Sequence, residues 1–115
     1  MSKVKEIPTT VLGKVWVIRL MKRKKYKKKN GGDSRALVYF EKRRIDLSPR
    51  GRELEIITHE LVHAFLYEMC VDPHTMTVDD LEEVYCDLMA KHGQTLLDTA
   101  KDIYSRIQAI ETPVT

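Results

Sequence analysis

Apolar and polar residues alternate through KVWVIRLM (14–21), and its β-branched content predicts a strand. RALVYF (35–40) and RIDLS (44–48) predict a second and a third strand, turned tightly about Glu41 to Arg43 into a small meander. The pattern then changes period. Ser48 as N-cap and Pro49 at the first helical position predict a helix to about Met69 or Cys70, stopped by Asp72-Pro73. Thr77-Val78-Asp79-Asp80 matches a capping box and predicts a second helix to about His92-Gly93. A third, amphipathic helix is expected over about Gln94 to Ile110, with the tail ETPVT (111–115) extended. The order implies one α+β domain: a short antiparallel or mixed three-stranded sheet followed by three helices.

The chain has 115 residues, enough for a core of its own, and its 32% charged and 43% hydrophobic content suits a folded soluble protein. No apolar run approaches the roughly 20 residues that span a bilayer, so no membrane partner is expected. MSKVKEIPTT lacks the apolar stretch of a secretory signal, and Cys70 and Cys86 make no disulfide framework. The expectation is a cytoplasmic protein with both thiols reduced. Charge is unevenly spread: KRKKYKKK (22–29) carries seven positive charges of a chain whose total is +3, which leaves the rest at −4. This island and Asn30-Gly31-Gly32-Asp33 predict a long loop.

THELVHAF (58–65) holds a His-Glu-x-x-His string, His59-Glu60-Leu61-Val62-His63. At about 100° per residue the two imidazoles lie about 40° apart and one turn separated, where both can grip one ion. Zinc favours neutral imidazole, and a catalytic site takes three protein ligands and keeps a position open for water. Glu60 sits beside that position, where a carboxylate can take a proton from the water. The plain alternative is two ordinary helix histidines. Against it, Leu54, Ile57, Leu61 and Phe65 form one apolar stripe, while the histidines fall opposite, among Ile56, Leu66, Tyr67 and Cys70. That predicts a helix buried on two faces, with the histidines inside or lining a cleft.

Downstream candidates for a third ligand are His74, Asp79, Asp80, Glu82, Glu83 and Asp87. The long metzincin pattern fails, because Leu66 and Met69 stand where it needs Gly and His. Glu83 and Asp87, four apart in LEEVYCDLMA (81–90), share a helix face. His-Glu-x-x-His followed some twenty residues later by Glu-x-x-x-Asp resembles the gluzincin metallopeptidases. EVYCDLMA (83–90) is similar to the short Glu-x-x-Ala-Asp-x-Phe-Ala motif of ImmA/IrrE-type metallopeptidases, with Cys86 in the alanine place and Met89 in the aromatic one. The strands leading through IDLSP into the motif helix also resemble the minigluzincins. The likeness covers roughly residues 35–92. It implies a zincin-like domain with Glu83 as third zinc ligand, Asp87 orienting a ligand histidine (His59), and Glu82 as the competitor one residue out of register. His74 is similar to the loop histidine of SprT-like proteases, although Thr75 stands where those carry glycine.

Tyr39, Tyr67, His74, Tyr85 and Tyr104 are the candidates to stabilise an oxyanion, and the resemblance makes RALVYF the rim strand that pairs with an extended peptide. Trp16, Phe40 and the helical methionines are expected in the core, and Cys86 as a buried thiol. Lys22, Arg23, Lys24, Lys25, Lys27, Lys28 and Lys29 are either a solvated loop tip or a phosphate-backbone contact. The resemblance implies a zinc-dependent metallopeptidase, with Zn2+ on His59, His63 and Glu83, Glu60 activating water, and a protein or peptide substrate. Relatives of that type act on regulatory proteins such as repressors, frequently in phage or mobile elements. The alternative is a non-catalytic regulatory or nucleic-acid-binding module that keeps a structural zinc site.

Overall fold

The computed structural model describes residues 4–32 and 34–111 and is α+β. Strands β1 (Lys5–Val11) and β2 (Lys14–Leu20) form a hairpin through Leu12 and Gly13, both at positive φ (46° and 84°), as a two-residue turn requires. Helix α1 (Arg23–Asn30) follows, then β3 (Ala36–Tyr39), β4 (Arg44–Leu47), helix α2 (Leu54–Glu68), a 3-10 turn (Pro73–Thr75) and helix α3 (Val78–Glu111). The sheet order is β1-β2-β4-β3, with β2 and β4 parallel and the other pairs antiparallel.

Several expectations are corrected. The sheet has four strands, because KEIPTTV pairs along β2 at an edge, where Pro8 is tolerated. Of the antiparallel and mixed forms expected, the sheet is mixed; what is corrected is the meander, since β4 returns beside β2. The basic island is a helix, and α1 stands between strands, so only two helices follow the sheet. Lysine and arginine are good helix formers. Tyr26 is fully buried and donates or accepts a 2.8 Å hydrogen bond with Ser34, while Gly31 caps the end at φ 72°. Asp33, at the end of the expected loop, lies outside the described residues.

The motif helix starts at Leu54 rather than after Ser48. Ser48 instead closes a turn: its hydroxyl donates to the Arg35 carbonyl at 2.9 Å, and Gly51 N–H returns to the Ser48 carbonyl. Gly51 passes so close to β3 that a Cβ there would stand 2.0 Å from the Arg35 carbonyl oxygen. The helix ends as expected, with Cys70 in the left-handed region at φ 61°. Beyond it, the two expected helices are one of 34 residues, running through Gly93. Glu111 belongs to that helix; the rest of the expected extended tail lies outside the described residues.

The inward face of the sheet (Ile7, Val11, Trp16, Ile18, Ile45, Leu47) packs on Ile57, Leu61, Ala64 and Phe65 of α2 and on Leu96, Ala100, Ile103 and Ile107 of α3. On the other face α1 lies over Asp46, Arg44 and Tyr39; Tyr39 donates its hydroxyl to Asn30, and Arg44 pairs with the buried Asp46 at 3.0 Å. Phe40 and Met89, expected in the core, are 39% and 54% exposed, and Cys86 is exposed. No helix among the described residues is long and apolar enough to cross a membrane.

Glu68, at the end of α2, ties the layers together. Its side chain is 6% exposed and accepts from Trp16 Nε1 at 2.6 Å and from Arg43 Nε at 2.7 Å. The Arg43 hydrogen bond holds this carboxyl below the usual carboxylate range, against burial, which pushes it up. A depressed folded pKa adds stability that is present above the unfolded value of about 4.3 and is lost as pH falls through the folded one. Glu68→Gln is expected to cost about 1–3 kcal/mol at pH 7, with the deficit shrinking by pH 3 in urea melts; a deficit independent of pH would contradict this assignment. Gly93→Ala tests the continuous helix. Its Cβ would meet only the flexible Met89 side chain, at 3.2 Å, so alanine should add about 1 kcal/mol. Destabilisation there would instead mark Gly93 as a helix end.

Candidate metal centre

Helix α2 has three functional sides, set by its rotation on the sheet. Ile57, Leu61 and Ala64 face inward, and Phe65 meets His92 of α3 at 6.4 Å between ring centres. His63 lies about 160° around the helix from Phe65, so it points to the flank away from α3. That flank faces β3. His63 packs edge-on against Phe40 (6.5 Å), and Phe40 lies on Tyr67 (5.3 Å).

His59 and His63 are both exposed, and their rings stand 5.2 Å apart at 75°. Two imidazoles on one tetrahedral zinc, with bonds of about 2.1 Å, bring their ring centres about 5 Å apart. The pair therefore fits two ligand positions. Glu60, half-buried between this pair and the sheet, has its pKa raised by desolvation, with His59 and His63 pulling it back. A carboxylate raised toward neutrality is better matched to accepting a proton from water.

An open cleft of about 540 Å³ lies here, lined by Arg35 and Ala36 of the β3 side and by Glu55, Ile56, Thr58, His59 and Glu60 of α2. Among the described residues β3 pairs only with β4, so its outer edge is open beside the cleft. Arg35 and Glu55 were not singled out by sequence reasoning. Arg35 opens the rim strand, and Glu55 precedes His59 by one turn, which were the available signals.

The third ligand is not brought to the pair. Helices α2 and α3 run antiparallel, tied by Arg52 to Glu111 at one end and by Phe65 to His92 nearer the other. Glu83 lies nine residues before His92, about 14 Å along α3, and so about 9 Å beyond the end of α2. Glu82, Glu83 and Asp87 are exposed there, as is Tyr85. His74 occupies the exposed 3-10 turn, its backbone N–H bonded to Asp72. Among the described residues no three His, Cys, Asp or Glu side chains gather where one ion would join them. Of the three ligands expected, only His59 and His63 are brought together among the described residues.

None of the named tyrosines lines the cleft. Tyr67 is stacked between Trp16 and Phe40, Tyr39 is held by Asn30, and Tyr104 packs on the core. The expected island residues, Lys22 to Lys29, lie on the other face of the sheet. No protein-family profile, curated protein or solved structure significantly matches the chain.

Proposed function

We propose that this chain is a zinc-dependent metallopeptidase, with His59 and His63 as metal ligands and Glu60 as the base. The observation that carries the reading is the pair of imidazoles at 5.2 Å beside a half-buried carboxylate, with His59 and Glu60 lining a cleft next to the edge of β3. His59 and His63 would hold the zinc, which would supply polarisation of a peptide carbonyl and an acidified water. Glu60, beside the pair, would accept a proton on a carboxylate oxygen and return it to the leaving amine. The unpaired backbone of β3 holds the substrate extended by strand addition. Arg35 supplies a guanidinium at the rim, suited to a substrate carboxylate or a developing oxyanion. A regulatory protein is the substrate class implied by the resemblance.

A second reading is favoured by the position of Glu83. With only two of the expected ligands gathered among the described residues, that reading is a non-catalytic regulatory or nucleic-acid-binding module, whose structural zinc would need further protein ligands because such sites are four-coordinate.

Native mass spectrometry of wild type, His59→Ala, Glu82→Ala and Glu83→Ala, together with digestion of a peptide library by wild type and Glu60→Gln, separates the readings. One zinc per chain, lost in His59→Ala, is expected. Glu60→Gln should keep that zinc and lose at least about 100-fold in cleavage. Of the two carboxylate variants, weakening by Glu83→Ala alone would assign the carboxylate and show that α3 shifts in the loaded protein. Cleavage that survives Glu60→Gln would sink the peptidase reading, as would a wild type that binds no zinc at neutral pH.

A further inference from the structure

Helix α1 places its charge in an unusual way. Arg23, Lys24, Lys25, Lys27, Lys28 and Lys29 sweep about 240° of its circumference, and Tyr26 fills the remaining gap, pointing at the sheet. All six are exposed, as is Lys22 before them, whereas Tyr26 is fully buried. No acidic residue lies between positions 20 and 32.

This arrangement works against the helix itself. Arg23 and Lys27, Lys24 and Lys28, and Lys25 and Lys29 are like-charged neighbours one turn apart. Lys24 and Lys25 also stand in the first turn, against the helix dipole. The Tyr26 anchor, the Tyr39–Asn30 hydrogen bond and the Gly31 cap hold the helix in place regardless. The charge is therefore presented by a fixed element rather than by a solvated loop.

The positive surface continues past the helix. Arg19, Arg44 and Lys42 crowd Lys29 closely enough to lower its pKa, Arg19 most. Arg44 is partly answered by Asp46 and Arg19 by Glu6, which leaves Lys42 and the α1 lysines as the outward cations.

We infer that α1, continued by Lys42, is a docking face for the phosphate backbone of nucleic acid, on the side of the sheet away from α2. Charge density favours this partner. The helix is about 12 Å long, and a duplex carries one charge per about 1.7 Å of axis, so the α1 lysines with Lys22 and Lys42 present a comparable density of charge. A bilayer is the poorer partner, because the one apolar side chain of α1 is buried and nothing on it inserts among acyl chains. The exposed side chains of α1 are all lysine and arginine, so contact is to phosphates and independent of sequence. The inference is independent of the zinc reading.

The test is fluorescence anisotropy of the full chain with two unrelated 20-base-pair duplexes, titrated from 50 to 200 mM salt, alongside Lys24→Gln/Lys25→Gln/Lys28→Gln. Vesicles containing phosphatidylserine serve as the competing polyanion. Expected is binding in the micromolar range near 100 mM salt, equal for both duplexes. The triple variant should bind at least tenfold more weakly, with a log–log salt slope smaller by about 2–3 and an unchanged circular dichroism spectrum. An unchanged affinity and slope in the variant would overturn the inference, and so would tighter binding to vesicles than to either duplex.

Discussion

A single carboxylate fixes the geometry on which this fold depends. Glu68 ends α2, yet its two oxygens are taken by Trp16 from β2 and by Arg43 from the turn between β3 and β4. Burying an ionised group is tolerable only when donors surround it, and here the donors come from two separate parts of the sheet. Arg43 reaches Glu68 from a left-handed backbone conformation (φ 48°), so the turn is shaped around the contact. The Arg43 guanidinium also lies 5.9 Å over the Tyr67 ring, and Tyr67 meets Trp16 and Phe40. The end of α2 cannot roll on the sheet without breaking this set.

With its rotation fixed, α2 divides its surface. One side packs on the strands, one receives α3 through Phe65, and the flank between Glu55 and Tyr67 is left to border β3. His59, Glu60 and His63 fall on that flank. The arrangement that opens a cleft beside the histidines is also the one that keeps α3 away from them. Glu83 and Asp87 are displaced by the length of α3, whose inner stripe of Leu96, Ala100, Ile103 and Ile107 sets its register against the core.

What was legible in the sequence is what local chemistry decides. The strands at 14–20, 36–39 and 44–47 followed from alternation, and the end of α2 from the residues around Asp72-Pro73. Thr77 does cap α3, accepting from Asp80 N–H at 3.1 Å. The His59–His63 proximity was legible because it depends only on helical period. The missed features are tertiary. Pro8 disguised an edge strand that only pairing reveals. Charge disguised α1, which holds its place through Tyr26. Gly93 read as a helix end but lies inside α3, where packing on both sides of it overrides a modest propensity. The distance of Glu83 from the histidines was illegible for the same reason, since spacing along the chain does not determine how far one helix slides along another.

Among the described residues the sheet ends in two edge strands, β1 and β3, which bear on how this molecule behaves in company. An unpaired strand edge is a template for any other strand, including the same strand in another copy. At the β1 edge Pro8 removes one backbone donor, and Lys5 places a charge at the start. At the β3 edge only four residues are in strand, with Arg35 before them and Lys42 and Arg44 in the returning turn and strand. Two copies meeting edge to edge through β3 would bring like charges together over a ladder too short to offset them. A short, charged edge of this kind resists joining chain to chain, where an uncharged edge of greater length would template it.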